Sequence, residues 1–364
     1  MNILFDQQIF SFQEYGGISR YFYELIKGIG KDNEVLVDGK FSNNIYLQKL
    51  KKGTVKVLPN INFPYKNILL FYLNKIFDSK NLKNGNFDLL HATYYQSYFL
   101  NKLKGRPYVI TVYDMTHELF TNDCKGFTKK TLEYKRKTIC GANKIIAISQ
   151  NTKKDLINLY RIQEDKIEVV YLGNPLDGVT PSRVDNLPRR YLLFVGNRQG
   201  YKNFTLFVKA ISPILKRNKS LFLVCAGGGK FSMEENKLLL KFGVSDQVLQ
   251  LNFKLDSELA YIYKNALVYI LPSLYEGFGL TVLEAFSMGC PVVASNTSSI
   301  PEVCGKSVVY IDPKNEMSMR NGIESVLTNC SLRNRLIRLS QKENKRFSWD
   351  KCISETMLIY NNLY

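Results

Sequence analysis

The sequence predicts two tandem α/β domains, each built on a doubly wound parallel sheet. Three observations carry that expectation: the length, an alternation of short apolar runs with helical stretches, and one Gly- and Pro-containing break near the middle. At 364 residues the chain exceeds a usual single core and suits two domains of roughly 150–200 residues. Short β-branched or aromatic runs recur at Ile3–Phe5, Val35–Val37, Leu89–Leu90, Tyr108–Val112, Lys144–Ile148 and Glu168–Tyr171. Strands separated by helices in this way pair in parallel. From Gly173 to about Arg190 the pattern lapses into Gly173-Asn-Pro-Leu-Asp-Gly-Val-Thr-Pro181 and Asn186-Leu-Pro188, which reads as a linker. A second series follows at Tyr191–Val195, Leu221–Cys225, Val248–Leu251, Leu267–Leu271, Pro291–Ala294 and Val308–Ile311. The expected division is 1–175, a linker over 176–190, 191–345, and a closing helix over 346–364, where the apolar residues after Trp349 have a helical period. Two Rossmann-like domains in tandem imply a central cleft, with ligands at the carboxyl ends of the strands.

Composition narrows the class. Hydrophobic residues make up 45% and charged residues 23%, enough apolar material for two buried sheets. The opening Met1–Asp6 is too short and too weakly basic for a signal peptide, and no apolar run approaches the ~18 residues of a membrane span. A cytoplasmic chain is expected. Seven cysteines and two histidines without a C-x-x-C pair argue against a disulfide frame or a zinc site. The net charge of +18 reflects a Lys- and Asn-rich composition or an anionic partner, of which a membrane surface or a phosphorylated lipid ranks ahead of nucleic acid. Tyr65–Phe77 is helical in period, aromatic and flanked by lysines. It reads as a core helix or as a segment that docks on anionic lipid.

The most informative stretch is Leu271-Pro-Ser-Leu-Tyr-Glu-Gly-Phe-Gly-Leu-Thr-Val-Leu-Glu-Ala-Phe-Ser-Met-Gly-Cys-Pro-Val-Val-Ala294. A buried strand ends, a Gly-containing loop opens a helix near Gly279, and Gly289 with Pro291 closes it. The N–H groups of Gly277, Phe278, Gly279 and Leu280 then sit at a helix start, where the positive end of the dipole suits a phosphate. Glu276 and Glu284 are eight residues apart, at most about 12 Å along a helix, close to the span from sugar to ribose in a folded nucleotide-sugar. Carboxylates suit hydroxyl-rich ligands because each accepts several hydrogen bonds.

These residues resemble the E-x7-E signature of the retaining, GT-B-fold glycosyltransferases of family 4, and the likeness runs over nearly the whole chain. The resemblance implies that Glu276 contacts donor-sugar hydroxyls and Glu284 the ribose. Phe194-Val-Gly-Asn-Arg-Gln-Gly-Tyr-Lys-Asn203 resembles the family's Arg/Lys segment, which makes Arg198 and Lys202 candidates to neutralise the donor diphosphate. Cys225-Ala-Gly-Gly-Gly229 is a second Gly-rich turn. Phe253-Lys-Leu255 resembles the segment that flanks the base, which adds Lys254. Family members also carry a Gly-Gly pair where Gly16 and Gly17 stand, before an amphipathic helix through Leu25 and Ile29. A His usually precedes the Asp of the segment Thr111-Val-Tyr-Asp-Met-Thr-His117; here Tyr113 stands there and His117 lies four residues later. His117 is the expected catalytic contact to the sugar, with Asp114 orienting the loop, while Tyr113 and His91 stay open.

The sequence lacks the D-x-D acids with which metal-dependent glycosyltransferases hold a divalent ion, so neither metal nor cofactor is expected. The function implied is retaining transfer of a hexose from a nucleotide-diphosphate donor onto a glycan or polyprenyl-diphosphate-linked acceptor. His91-Ala-Thr-Tyr-Tyr95 and Asp114–Glu118 resemble mannosyl- and rhamnosyltransferring members that build bacterial surface polysaccharide and lipopolysaccharide, which favours GDP-mannose. A nucleotide-sugar epimerase of the same architecture and a non-catalytic nucleotide-sugar-binding module are the alternatives.

Overall fold

In the computed structural model, residues 1–57, 61, 63, 65–77, 79–120 and 128–364 are described. Every strand expected from the sequence forms, with ends shifted by two residues at most. The chain divides into two units. The first contains Met1–Leu119, the stretch that ends at Gly173, and Ser348–Tyr364; the second contains Asn174–Phe347.

The first unit holds strands β1 (Asn2–Phe5), β2 (Glu34–Val37), β3 (Leu89–Ala92), β4 (Tyr108–Val112), β5 (Lys144–Ala147) and β6 (Ile167–Val169), ordered β2-β1-β3-β4-β5-β6 and parallel throughout. The second holds β7 (Tyr191–Val195), β8 (Phe222–Ala226), β9 (Val248–Leu251), β10 (Val268–Leu271), β11 (Val292–Ser295) and β12 (Val309–Ile311), ordered β12-β11-β10-β7-β8-β9 and also parallel. The central strands are buried along their length, which is why they read as continuous apolar runs and not as alternating ones. Strand order reverses between β1 and β3 in one sheet and between β7 and β10 in the other. At such a switch point the loops leaving two adjacent strands diverge to opposite faces and open a crevice.

Helix Phe204–Arg217 illustrates how the layers close. Phe204, Phe207, Val208, Ile211 and Leu215 recur at helical spacing and are all buried in the core of the second unit. Its start is set by Asn203, whose φ of 59° is a left-handed conformation that Asn tolerates better than most residues.

The stretch read as a linker is tied down. Asn174 donates from Nδ2 to the carbonyl of Leu283 (2.7 Å), Ser287 Oγ (2.8 Å) and Asn344 Oδ1 (2.6 Å), and Leu176 is fully buried. The last helix, Trp349–Asn361, belongs to the first unit. It packs against helix Gly17–Ile29 so closely that a Cβ on Gly28 would lie 2.2 Å from Ile353 Cδ1. Tyr360 hydroxyl meets His91 Nδ1, His91 Nε2 meets Thr111 Oγ1 at 2.9 Å, and Tyr21 hydroxyl meets the same Thr111 at 3.1 Å. His91, a candidate sugar contact in the sequence, is thus fully buried with both ring nitrogens engaged by this internal network.

Two buried groups of this unit titrate abnormally. Burial pushes the His91 imidazole down to about 3 from 6.5. Burial also pushes Asp6 up to about 6 from 3.8, against the hydrogen bonds it accepts from Thr93 and Gln8. The signs oppose. His91, lowered in the folded state, contributes stability that is present above pH 6.5 and lost as the pH falls toward 3. Asp6, raised, contributes stability that is present below pH 3.8 and lost as the pH rises through 6. Replacing His91 by Gln is expected to remove a positive slope of up to about 1.4 kcal/mol per pH unit between pH 4 and 6, leaving the opposing Asp6 slope. Urea unfolding at a series of pH values reads it; parallel profiles for both proteins would show that His91 does not bury uncharged.

Candidate active site

In the second unit the switch point lies between β7 and β10, and the loops that leave those two strands carry Lys202 and Glu276. They are stitched together by hydrogen bonds to backbone carbonyls. Asn203 Nδ2 donates to the carbonyls of Pro272 (3.0 Å) and Pro313 (2.6 Å), and the Leu274 N–H donates to the Tyr201 carbonyl at 2.7 Å. Lys202 Nζ reaches both carboxylate oxygens of Glu276, at 2.7 and 3.0 Å, and Ser273 Oγ donates to Glu276 Oε1 at 2.6 Å. The backbone of Glu276 is held as well: its N–H donates to Ser298 Oγ (2.9 Å) and its carbonyl accepts from Ser299 Oγ (2.8 Å). Neither side chain is sealed, at 22% and 13% exposed, so the pair is ordered yet within reach of a ligand.

Gly277 and Phe278 lead from Glu276 to Gly279, which precedes helix Leu280–Ser287 with no side-chain cap. The φ of Gly279 is 101° and a Cβ there would meet Ile300 Cδ1 at 3.1 Å, so both conformation and space require glycine. Phe278 is buried edge-on against Phe347; its side chain anchors the loop, and only its backbone can serve a ligand. Glu284 lies one turn into the helix, partly buried, and accepts from the buried Tyr263 hydroxyl at 2.9 Å.

Arg198 stands elsewhere than its sequence neighbour Lys202 suggests. It is 5% exposed. Its Nε donates to Glu235 Oε1 (2.8 Å), Nη1 to the Gly227 carbonyl (3.1 Å), and Nη2 to the carbonyls of Gly229 (3.0 Å) and Lys230 (3.2 Å), while the guanidinium lies 4.8 Å from the Phe231 ring centroid. Gly227, Gly228 and Gly229 all have positive φ, and a Cβ on Gly228 would strike the Gly196 carbonyl at 2.3 Å. The Gly-rich turn after β8 is therefore a backbone bowl filled by Arg198. Phe253 borders it, 3.4 Å from where a Cβ on Gly227 would be. Lys254 is exposed, and its N–H joins that of Leu255 in donating to Glu258, in the first turn of helix Asp256–Asn265.

In the first unit, Gly16 and Gly17 sit at the start of helix Gly17–Ile29, again without a side-chain cap. Gly16 is extended, and a Cβ there would meet Gln13 Oε1 at 2.6 Å. His117 lies in the short helix Thr116–Leu119 that follows β4. This turn is pinned from beneath by a buried ion pair. Lys135 Nζ donates to Glu118 Oε2 (2.8 Å) and to the Asp114 carbonyl (3.0 Å), and Tyr160 hydroxyl donates to the other Glu118 oxygen (2.5 Å). Asp114 Oδ1 accepts from the Thr116 N–H at 2.9 Å. Burial lowers the His117 pKa, with Lys135 pushing the same way and Asp114 and Glu118 opposing. Tyr113 is buried among Tyr21 and Tyr95, and its hydroxyl has no hydrogen-bond partner among the described residues.

The structure thus brings Lys202 and Glu276 together, places Glu284 on the adjoining helix, and separates Arg198 from them by engaging it in the bowl. Sequence reading missed Ser273, Ser298, Ser299 and Tyr263. Ser273 had a signal, three residues before Glu276 in the same loop; the others come from distant segments that only the fold brings in. Among the described residues, no group of three or more His, Cys, Asp or Glu is placed to hold a metal ion, and no helix is long and apolar enough to cross a membrane.

Comparison with known proteins bears on this geometry. Residues 15–177 match the family Glycosyltransferase Family 4 and residues 182–343 match Glycosyl transferases group 1. An uncharacterized glycosyltransferase of Methanocaldococcus jannaschii is 27% identical over 297 residues, 75% of each chain. The O-antigen chain mannosyltransferase B of Escherichia coli is 27% identical over 258 residues, covering 68% of this chain and 67% of that one. The Anabaena protein HepE, solved with UDP and glucose, superposes with a TM-score of 0.76 over the full length of both chains at 17% identity. Two family matches that between them take in every strand but β1, on a fold shared with solved glycosyltransferases, set aside the epimerase and binding-module alternatives: the chain is a GT-B glycosyltransferase of the group 1/family 4 type.

Proposed function

We propose that this enzyme transfers a hexose with retention of configuration, with mannose from GDP-mannose the first choice. The acceptor is a glycan or a polyprenyl-diphosphate-linked oligosaccharide at the inner face of the cytoplasmic membrane, in surface polysaccharide synthesis. The observation that carries the reading is the Lys202–Glu276 pair at the switch point, beside the uncapped start of helix Leu280–Ser287. A lysine and a row of backbone amides suit a diphosphate; a carboxylate one hydrogen bond away suits the hydroxyls of the attached sugar. The mannosyl choice rests on the Escherichia coli relative. UDP-glucose is the second reading, favoured by the UDP in the HepE structure.

In this reading the bond from the anomeric carbon to the diphosphate oxygen breaks as the acceptor oxygen approaches the same face. The departing phosphate oxygen takes the acceptor proton, and a nucleoside diphosphate leaves. Lys202 and the amides of Gly277–Leu280 carry the growing phosphate charge with neither metal nor cofactor. Glu276 holds the sugar, Glu284 the ribose, and Lys254 and Phe253 border the base. Gly16, Gly17 and the neutral His117 are the first unit's own candidates for ligand contact. Arg198 acts through the Gly-rich bowl as a positioning residue.

The two cations are expected to fail differently. Lys202→Met removes a charge-assisted contact of about 1.5–3 kcal/mol, a ten- to hundredfold loss of nucleoside-diphosphate affinity, with a smaller fall in melting temperature than Arg198→Met because Ser273 Oγ still donates to Glu276. Arg198→Met leaves Glu235 and several carbonyls buried without their donor, which destabilises by about 3–5 kcal/mol. Thermal denaturation with and without GDP or UDP separates them and ranks the two bases, since a ligand at 100 times its Kd adds about 2.7 kcal/mol. No response to either nucleotide sinks the donor site.

The glutamates divide likewise. Glu276→Gln is expected to lower kcat about ten- to a hundredfold while bare nucleoside diphosphate binds as well or better, because Lys202 loses its carboxylate partner. Glu284→Gln should raise KM and weaken nucleotide binding with a smaller effect on kcat, since a ribose contact is equal in ground and transition states. Turnover and nucleotide affinity measured on both variants check this. Unchanged turnover in both returns the pair to a structural role.

A further inference from the structure

Helix Lys66–Phe77 has two apolar faces. Leu70 and Phe71 point inward with Asn74, whose amide is engaged by Ser11 and Phe41. On the opposite side Ile68, Leu69, Tyr72 and Ile76 form a stripe at helical spacing, with Tyr65 immediately before the helix and Phe77 at its end. They are between 44% and 77% exposed. A surface helix ordinarily turns polar residues to water, and a contiguous apolar stripe of this kind marks a contact site.

The surroundings of the stripe are basic. Lys75 lies over the Tyr72 ring at 5.7 Å and Lys40 over the Phe77 ring at 5.3 Å. Lys104 Nζ reaches the Lys83 carbonyl at 3.1 Å; burial lowers the Lys102 pKa, and the nearby Lys83 and Lys75 push it the same way, with Asp38 the acid that opposes them. Apolar and aromatic side chains flanked by lysines are the composition of a segment that lies in the headgroup region of an anionic bilayer. A second copy of the chain fits less well: a two-fold interface would bring this lysine cluster against itself.

We propose that the outward face of helix Lys66–Phe77, with Lys75, Lys83, Lys102 and Lys104 beside it, docks the first unit on a bilayer of anionic phospholipid. This rests on the peripheral-membrane part of the reading above and is independent of the donor chemistry.

Flotation with phosphatidylcholine vesicles, with and without phosphatidylglycerol, tests it on the full chain. Wild type should bind only the phosphatidylglycerol vesicles and be released by salt. Each lysine at an anionic surface is worth a factor of about five in binding, so Lys75→Glu/Lys83→Glu should lose at least about twentyfold. Ile68→Ser/Ile76→Ser, with charge intact, should lose binding as well. Both variants should keep the wild-type melting temperature and its response to GDP or UDP, since none of the four side chains supports the core or the donor site. Binding indifferent to phosphatidylglycerol, variants that bind like wild type, or a dimer in sedimentation that Ile68→Ser/Ile76→Ser dissolves would each overturn the proposal. Vesicle binding by a protein that responds to no nucleotide would instead count against the donor reading and leave docking standing.

Discussion

A parallel sheet sends every strand the same way, so all of its carboxyl ends share one edge, and only where the strand order reverses do two neighbouring loops part. That constraint governs this molecule twice. In the second unit it selects the loops after β7 and β10, and these are the loops that bear Lys202 and Glu276. In the first unit it selects the loops after β1 and β3, where Asp6 Oδ1 accepts from the N–H (3.0 Å) and hydroxyl (2.5 Å) of Thr93. Glu276 needs no long-range design to reach Lys202, because β7 and β10 are hydrogen-bonded neighbours and the crevice lies at their common end.

Given that frame, solvation decides which cation is available. A guanidinium taken out of water must find partners for its five donors or destabilise the fold by several kcal/mol. Arg198 finds them in Glu235 and the carbonyls of the Gly-rich turn. The turn can offer those carbonyls only because three successive glycines take positive φ. Lys202, a compact charge on a flexible stem, keeps part of its surface in water and one carboxylate partner. The same contrast gives the Gly-rich turn Cys225–Gly229 its role: its glycines serve the backbone shape that accommodates a buried arginine.

Legibility followed the range of the interaction. Strand positions came through within two residues because burial on both faces leaves an unbroken apolar run, and Gly279 came through because a left-handed residue before a helix leaves few other choices. Arg198 and Lys202, four residues apart, were indistinguishable until Glu235 and the Gly-rich turn were placed around one of them. His91 was readable as a residue at a strand end; its burial depends on Tyr360, which lies 269 residues away. The return of helix Trp349–Asn361 to the first unit had no local signal at all, since an apolar helical period says that a helix packs and not on what. Helix Lys66–Phe77 was ambiguous for a related reason: with apolar residues on two faces, its period fits both a core helix and a docking helix, and the structure shows one inward and one outward face.

The ion pair beneath His117 shows how the fold uses an interaction of little net stabilising value. Lys135 is buried almost completely, and its attraction to Glu118 is largely offset by the loss of hydration on both sides. An apolar pair of the same shape would hold the helices at least as well. What such a pair would lack is direction. The ammonium donates to the Asp114 carbonyl as well as to Glu118, and Glu118 accepts from Tyr160, so three elements fix the backbone that leaves β4. Asp114, held there, turns its carboxylate to the Thr116 N–H and starts the single turn that presents His117. Burial favours the uncharged imidazole, with the same lysine pushing the same way against Asp114 and Glu118. A neutral ring can both donate and accept, which a charged one cannot, so the pair sets the position of His117 while its burial sets its hydrogen-bonding character.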